Sequence, residues 1–442
     1  MGVKSRPIRP AAAIILHRDG KVWLGQRGQT RFLPGFSVFP GGTCEADEST
    51  RQAARRELAE ETGIKLPESC PLIPFSRAIT PAYSRYRYDV EVFLAHLPES
   101  LEPKPDGVEI ASGRWYTAEQ ALQARAEGEI QLAPPTYRQV VLWKECQEQP
   151  EKWPAEAEAF AAPPRRNEQI LPFGPGLTVI PLPTRAMPPA AWTNCILVGR
   201  QSLYIVDPGG PELEVLMEEV EALKTAGAEV RGVILSHHHP DHIDGYHALG
   251  MSHLPLYCHP LTAPLLPQDF PSTTPLGEGD KLVVEDDLTL VCHFTPGHAP
   301  GHLAFEIPER KAILAGDMIS SLSSIVLPSD NGSLPDYIAS LEKLRAVDAN
   351  LGFPSHGPPW GRGSDPFGET LLHRRKREEQ ILALLGSEPR TVEAVAGRLY
   401  RGLDPRLVPA ARANVHHHLL KLKADGVAFV SPQGWSLNDQ QE

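Results

Sequence analysis

Short apolar runs of strand length recur along the chain and are separated by polar, glycine-rich or proline-rich turns. The first run, residues 11–16, is followed by Asp19-Gly20, a typical two-residue turn between hairpin strands. A second series lies between residues 177 and 316 and reads LTVIPL, CILVG, SLYIVD, GVILS, LTLVCHF and KAILAG, with helix-like segments among the runs. This alternation predicts an α/β unit.

Toward the C-terminus the pattern changes from strand-like runs to apolar residues at helical spacing. One amphipathic helix begins near Glu369, a second spans Thr391–Tyr400 and a third spans Leu407–Ala424. The remaining sequence predicts a two-strand hairpin around residues 432–434. Three helices and a hairpin in about 70 residues indicate a winged helix.

Two proline-rich stretches, residues 147–176 and 354–366, lack a sustained apolar period and separate these patterns. The length of 442 residues also corresponds to about three folded units. We therefore predict a multidomain α/β chain with a first boundary near residues 161–164. Its predicted segments are a first domain over residues 8–150, a linker over 151–169, a second domain over 170–365 and a third domain over 366–438.

Charge is distributed unevenly between these segments. The chain carries 43 Lys and Arg residues against 55 Asp and Glu residues, a formal net charge of −12. This sign excludes a protein that coats nucleic acid along its whole length. Residues 371–442 differ, with 11 basic against 8 acidic side chains, so any contact with nucleic acid is expected to be local and to lie there.

Cysteine usage and hydropathy both indicate an intracellular soluble protein. The six cysteines form no CxxC pair, which is typical of reduced thiols in a cytoplasm. No apolar run approaches the ~20 residues of a membrane span, and the N-terminus lacks the pattern of a signal peptide. We therefore expect a cytoplasmic chain with no membrane partner.

A helix rich in carboxylates follows a glycine turn in the first domain. At 3.6 residues per turn, Glu57 and Glu61 lie on one face and Glu60 lies beside them. Because like charges repel, such a helix needs a cation, and Mg²⁺ bound through carboxylates and substrate phosphates is the natural candidate. Arg56 can orient or partly neutralise the same group. A solvated face of a surface helix is the alternative interpretation.

This segment fits the pattern G-x5-E-x7-R-E-U-x-E-E-x-G-U, in which U is aliphatic. Its fixed positions are Gly42, Glu48, Arg56, Glu57, Leu58, Glu60, Glu61, Gly63 and Ile64. The segment resembles the Nudix box, and residues 8–150 resemble a Nudix hydrolase domain. The resemblance implies an α/β/α sandwich that cleaves a nucleoside diphosphate linked to another moiety. It also implies Mg²⁺ or Mn²⁺ on Glu57, Glu60 and Glu61, a catalytic role for Glu60, and the Gly41 carbonyl as a further candidate ligand.

In Nudix hydrolases a further carboxylate usually comes from a later loop. Glu109, six residues before Trp115, is the candidate for a catalytic base or an extra metal ligand, and a plain surface glutamate is the alternative. Residues 32–42, 77–81 and 87–89 are similar to the Nudix branch that includes the peroxisomal coenzyme A diphosphatase. That similarity implies a small-molecule nucleotide or CoA-type substrate.

Histidines and aspartates cluster after the apolar runs of the second domain. The sequence H-x-H-x-D-H over residues 237–242 follows GVILS, and His298, Asp317 and His356 follow three later runs. Imidazole and carboxylate groups that converge from separate loops predict a metal cage rather than a packed core. The spacing of the first cluster lets one loop supply two metal ions.

This arrangement resembles the metallo-β-lactamase superfamily, which implies an αββα sandwich that holds two zinc ions. The ligands implied are His237, His239 and His298 for one zinc, Asp241, His242 and His356 for the second, and Asp317 as the bridge. The resemblance gives Asp241 a catalytic role and gives Asp207 the role of orienting a ligand histidine. Two such metals would generate a bridging hydroxide that hydrolyses a thioester, lactam or phosphodiester bond, and we take an ester or thioester as the first hypothesis. Lactam cleavage is not expected, because no cysteine occupies a ligand position.

A winged helix can place its third helix in a nucleic-acid groove, which would present Arg412, Asn414, His416 and Lys421. A homodimer contact or a lid element is the alternative, and the small net charge favours it. The order of a metallo-β-lactamase domain and a winged helix resembles the beta-lactamase-like protein 2 family, which implies endoribonuclease activity and an RNA partner. We therefore predict a bifunctional metal-dependent hydrolase, with an RNA-processing enzyme and a binding protein with decayed sites as alternatives.

Overall fold

The computed structural model describes residues 8–30, 33–80, 87–148 and 169–438. Within these ranges the strands form two seven-stranded sheets, one five-stranded sheet and one two-stranded sheet. The predicted boundary at residues 161–164, and all of the predicted linker except Gln169, lie outside the described residues. The multidomain α/β fold predicted from the sequence is confirmed.

The first seven-stranded sheet has the order β3-β2-β1-β6-β5, with β4 paired to β1 and β7 paired to β2. Its strands are β1 Ile8–Arg18, β2 Lys21–Arg27, β3 Ser37–Val38, β4 Gly41–Thr43, β5 Ile73–Ile79, β6 Arg87–His96 and β7 Ile110–Thr117. Its helices are α1 Thr50–Thr62, α2 Ala118–Ala126 and α3 Pro134–Glu148. The predicted hairpin is present, because Arg18 pairs with Lys21 across Asp19 (φ 48°) and Gly20 (φ 72°).

Two further sheets build the middle of the chain. The second sheet contains β8 Leu171–Gly174, β9 Leu177–Pro183, β10 Trp192–Val198, β11 Ser202–Val206, β12 Glu229–Ile234, β13 Leu256–Cys258 and β14 Thr274–Pro275. The third contains β15 Lys281–Glu285, β16 Leu288–Phe294, β17 Leu303–Ile307, β18 Ala312–Ser320 and β19 Leu351–His356. The helices of this part are α4 Glu214–Thr225, α5 Pro240–Ile243 and α6 Leu334–Arg345.

Alternating side chains give these two sheets an inner and an outer face. Along β9, Val179 points into the core that also contains Leu290 and Phe353 of the third sheet. The next residue, Ile180, points to the opposite face, where α4 covers it. On the third sheet Ile313 points outward to α6. This period of two packs the sheets face to face between outer helices, which is the predicted αββα layering.

The C-terminal unit contains three helices and a hairpin, as predicted. Its elements are α7 Pro366–Leu382, α8 Val392–Leu399, α9 Val408–Ala424, β20 Ala428–Ser431 and β21 Gly434–Leu437. The first helix starts three residues before the predicted Glu369, because the Asp365 side chain caps it by accepting a hydrogen bond from the Gly368 N–H at 2.8 Å. A small core around Val415 and Trp435 holds the unit together.

The first domain packs directly on the middle domain. Phe36 belongs to the same buried cluster as Phe173 and Phe353. The N–H of Gly361 donates to the carbonyl of Pro34 at 2.8 Å. Gly35, at φ 77°, lies so close that a Cβ there would be 2.1 Å from the Arg362 carbonyl oxygen. The short loop that contains these residues therefore fixes one domain to the other.

Candidate metal centres

The first candidate centre lies on α1. A capping box of Ser49 and Gln52 starts this helix, and Gly63, in the left-handed region, ends it. The carboxylates of Glu57, Glu61 and Glu109 approach so closely that one oxygen of each lies within 4.8 Å of the others. The structure thus brings together two of the three predicted helix ligands and the predicted loop carboxylate.

Glu60 lies outside this cluster. Its side chain is 59% exposed and pairs with Arg56 at 3.0 Å. Arg56 also pairs with Glu57 at 2.9 Å and with Glu48, which precedes the helix, at 3.0 Å. It therefore contacts one of the predicted metal ligands, Glu57, which is the position expected of an orienting cation. Glu60 is next to Glu57 on the helix surface, but α1 packs on the sheet so that the Glu60 carboxylate faces solvent.

The remaining carboxylates fit a divalent cation. Burial raises the pKa of Glu57, and burial raises the pKa of Glu61 to about 8, although the Gly41 N–H donates to the Glu61 carboxylate at 2.9 Å. Carboxylates that resist ionisation in close proximity are stabilised by a positive ion among them. A cluster of oxygen ligands suits Mg²⁺ or Mn²⁺.

The second candidate centre begins with three histidines. His237 and His239 follow β12, and His298 follows β16. The His237 Nε2 lies 2.9 Å from the His239 Nδ1, and the His298 Nε2 lies 2.8 Å from the same atom. Three ring nitrogens therefore converge on one point.

A second group of side chains adjoins these histidines. Asp241, His242 and His356 each offer a ligand atom within 4.8 Å of the others. Asp317 lies between the two groups, 3.3 Å from His298 and 3.5 Å from both His242 and His356. The structure thus brings together all seven predicted residues of this centre.

Two buried polar atoms of this centre make no hydrogen bond within the described part of the chain, although they lie 3.5 Å from each other. The Nε2 atom of His242 and the Oδ1 atom of Asp317 accept and donate no hydrogen bond among the described residues. Burial lowers the pKa of His237 and His298, and that of His239 to about 3, so these rings are neutral and can donate a lone pair to a metal. Nitrogen and carboxylate ligands in two adjoining groups fit a pair of zinc ions.

The known protein families that match this chain follow the same three-part division. The NUDIX domain matches residues 7–139, the metallo-beta-lactamase superfamily matches residues 193–356, and the beta-lactamase associated winged helix domain matches residues 391–435. The chain combines a NUDIX, a metallo-β-lactamase and a winged helix domain. Two catalytic domains of these kinds indicate a hydrolase.

Individual relatives cover about half of this chain. A beta-lactamase-like protein 2 homolog of Drosophila melanogaster is 29% identical over 257 residues, which are 54% of this chain and 85% of that protein. Its Caenorhabditis elegans counterpart is 28% identical over 243 residues, 53% of this chain and 80% of that protein. A beta-lactamase domain protein from Burkholderia ambifaria shares the fold with a TM-score of 0.53 at 18% identity, covering 61% of this chain and 93% of its own.

Asp207 supports both metal groups of the metallo-β-lactamase domain. It follows β11 at φ 52°, and its carboxylate accepts hydrogen bonds from the Ser236 N–H at 2.7 Å and from the His242 Nδ1 at 2.9 Å. It also accepts the Ser236 hydroxyl at 2.6 Å, while that hydroxyl lies 3.0 Å from the His237 Nδ1. The predicted orienting role thus extends from one ligand histidine to two.

Two supporting residues of this domain were missed by the sequence analysis. Asn194, on β10, donates to the carbonyls of Pro354 and Gly357 on either side of His356. The buried ring of His302 accepts the Asp317 N–H at 3.0 Å. The spacing of His302, four residues after His298, was a visible signal, whereas nothing in the sequence around Asn194 marks it.

One local prediction was wrong. Asp317 was expected to lie just past the end of the strand formed by KAILAG, but it lies inside β18, three residues before the strand ends. The pairing of β18 with β19 shifts register on both sides of Gly316, which has φ 55°. This irregularity turns the Asp317 side chain toward the metal groups without ending the strand.

The NUDIX domain also contains a residue that the sequence analysis missed. The side chain of Asp106 accepts hydrogen bonds from the N–H groups of Val108, Glu109 and Ile110 at 2.8–3.2 Å. The Asp106 N–H donates to the Glu61 carbonyl at 3.0 Å. Asp106 therefore ties the Glu109 loop to α1, and its place in the turn PDGVE is the signal that marks it.

Two of the winged helix residues that were predicted to contact nucleic acid bond to other side chains of the protein. Arg412 is exposed, but Lys421 pairs with Glu378 at 2.9 Å and with Asp425 at 2.8 Å. Asn414 accepts the hydroxyl of Tyr400 at 3.3 Å. One face of α9 packs on α6 and α7, and the contact of this helix with nucleic acid stays a prediction.

Proposed function

We propose that the chain is a bifunctional metal-dependent hydrolase. The NUDIX site cleaves a CoA-type or other nucleoside-diphosphate pyrophosphate, and the metallo-β-lactamase site cleaves an ester or thioester. The observation that carries this proposal is the convergence of the His237, His239 and His298 ring nitrogens beside the buried carboxylate of Asp317. No helix among the described residues is long and apolar enough to cross a membrane.

At the second site, His237, His239 and His298 would hold one zinc ion and Asp241, His242 and His356 the other. Zinc would lower the pKa of a coordinated water and stabilise negative charge on the attacked carbonyl. His239 and Asp241 are half-buried while the other ligands are buried, so substrate approaches from their side. We infer that Asp241, the half-buried carboxylate of the second group, also takes a proton there.

At the first site, Glu57, Glu61 and Glu109 would hold Mg²⁺ or Mn²⁺, which would neutralise the pyrophosphate charge. Arg27, which is half-buried and lies in the field of Glu61 and Glu109, adds a positive charge beside them. Glu109 is the exposed member of the cluster, which places it where water can reach it and makes it our candidate for the base.

A CoA thioester suits a chain with both sites because one molecule contains both bonds. The pyrophosphate links its nucleotide to the pantetheine arm, and the thioester lies at the far end of that arm. The NUDIX domain and the metallo-β-lactamase domain share one buried core, so the two sites belong to one packed unit. Both sites can therefore act on the same class of substrate.

The test is product analysis after incubation with an acyl-CoA, in the presence of Zn²⁺ and Mg²⁺. Thioester cleavage releases free CoA, whereas pyrophosphate cleavage releases acyl-phosphopantetheine. We expect His239→Ala to abolish free CoA and to spare the second product, and Glu61→Gln to do the reverse.

Single-stranded RNA at low salt is the parallel substrate. If the wild type leaves acyl-CoA intact but cuts RNA, and His239→Ala abolishes that cleavage, the endoribonuclease alternative replaces the ester or thioester assignment. If neither substrate is cleaved at a zinc content near two per chain, both assignments of the second site are wrong.

A further inference from the structure

A short segment between β18 and α6 links the second metal centre to the C-terminal unit. We call residues 325–328 the support segment. The carbonyl of Val326 accepts the Nδ1–H of His298 at 2.8 Å. Because a carbonyl can only accept, this bond fixes the ring proton on Nδ1 and leaves the Nε2 lone pair directed at His239.

The C-terminal unit holds the carbonyls on either side of Val326. The Arg374 guanidinium of α7 donates to the carbonyl of Ile325, and the His417 Nε2–H of α9 donates to the carbonyl of Pro328 at 2.9 Å. One carbonyl of the support segment thus serves the metal centre while its neighbours are fixed by two different helices of the C-terminal unit.

Arg374 is also connected to the metal centre through Tyr337. Its guanidinium lies 5.1 Å from the ring centroid of Tyr337 on α6. The Tyr337 hydroxyl donates to the carbonyl of Met318 at 2.7 Å, and Met318 directly follows Asp317. One side chain therefore braces the chain beside His298 and the chain beside Asp317.

Arg374 is buried, which makes its positive charge energetically unfavourable. The side chain is only 2% exposed, and its described contacts are a carbonyl and an aromatic face rather than a carboxylate. Removing a guanidinium from water without a counter-charge costs several kcal/mol, and a leucine or methionine would fill the same space more cheaply. A structural role alone does not account for the choice of an arginine here.

We propose that Arg374 and His417 are positioning residues for the zinc centre, acting through the support segment. This inference rests on the proposed function of that centre. It assigns to the winged helix unit a task that does not involve nucleic acid, namely to hold the His298 imidazole and Asp317 in the geometry that binds metal.

The test compares zinc affinities of the full chain, measured by competition with a chromophoric chelator, with thermal unfolding of the zinc-free protein. The variants Arg374→Met and His417→Met remove the donors, whereas His417→Gln keeps an N–H near the same point. Arg375→Met and His416→Met, the neighbouring residues on α7 and α9, are the matched controls.

We expect Arg374→Met and His417→Met to weaken zinc binding by about tenfold, the low end of the range for groups behind the ligands. His417→Gln should stay within about threefold of wild type, as should both controls. For His417→Met the loss should fall mainly on one of the two zinc ions, because His417 connects to His298 alone.

One result would overturn the proposal: a folded Arg374→Met or His417→Met variant that binds zinc as tightly as wild type, although the thermal unfolding midpoint of its zinc-free form is lower. The contact would then only hold the domains together. If Arg374→Met does not fold, the comparison of His417→Met with His417→Gln decides the question. Failure of the wild type itself to bind zinc would instead refute the proposed function.

Discussion

Replacing Asp207 by asparagine tests how the two metal groups are held. Asp207 is 4% exposed, and its two oxygens accept three hydrogen bonds, from the Ser236 N–H, the Ser236 hydroxyl and the His242 Nδ1. Asparagine keeps the shape but replaces one oxygen by an NH₂ group. That group then faces a donor, so at least one of the three bonds is lost and the ring of His242 or the hydroxyl of Ser236 is released.

The magnitude follows from these contacts. A hydrogen bond to a charged group contributes about 1.5–3 kcal/mol, and an unsatisfied buried donor costs a similar amount. Mutation of groups that orient metal ligands lowers metal affinity by about 10–100-fold, which is about 1.4–2.7 kcal/mol. Since Ser236 relays Asp207 to His237 while His242 contacts it directly, both zinc ions should be weakened.

The assay is chelator competition on the full chain, with Asp244→Asn as the control because Asp244 is an exposed carboxylate two residues after His242. Two dissociation steps should both shift in Asp207→Asn and neither in Asp244→Asn. Unchanged affinities in Asp207→Asn would show that the histidines are held by packing alone, and the reasoning from hydrogen bonds would be refuted.

Three further changes test other parts of the molecule. Glu61→Gln should lower pyrophosphate cleavage by about 100-fold or more and Glu60→Gln by less than tenfold, measured as kcat/KM with Mg²⁺; equal losses would mean that Glu60 moves into the cluster. Gly35→Ala should destabilise the chain by about 3 kcal/mol in denaturant unfolding, because the new Cβ meets a carbonyl at 2.1 Å and φ is positive; a smaller loss would indicate a pliable interface. The third change concerns Glu378. Burial alone would raise the pKa of its carboxyl, but the contacts with His418 and Lys421 outweigh burial and lower that pKa below its usual value of 4.5. Its ionised form therefore stabilises the protein above that value, the stabilisation is lost as the pH falls through the lowered pKa, and Glu378→Gln should flatten this acid dependence of the thermal midpoint.

Sequence patterns predicted the parts of the sites whose spacing is set by local geometry. The residues of H-x-H-x-D-H lie in the loop after β12 and at the start of α5. They span only six positions of the chain, so their convergence depends on few torsion angles. Glu57 and Glu61 share a face because a helix repeats every 3.6 residues. The same periodicity places Glu60 beside them but cannot decide whether it faces the cleft or solvent, since that depends on how α1 packs on the sheet.

Contacts between distant segments could not be predicted in this way. Arg374 lies 76 residues beyond His298 along the chain, in a helix whose sequence HRRKREEQ has the composition of a solvated face. Only the packing of α7 on α6 buries one of its three arginines and leaves Arg375 exposed. Burial of a single charge in a charged run is a property of the tertiary structure and leaves no periodic signal.

A row of aromatic side chains spans the interface between the first domain and the middle domain. The Phe36 ring packs on Phe173 at 6.0 Å, and Phe173 packs on Phe353 at 5.1 Å. Phe36 lies five residues before Gly41, which contacts Glu61, and Phe353 lies three residues before His356. Separating the domains would expose these rings at about 1.5–3 kcal/mol each. Because Phe36 lies in the segment that leads to Gly41 and Phe353 lies on the strand that ends at His356, loosening the interface should disturb both sites together. Two independent enzymes joined by a flexible tether would not show this coupling.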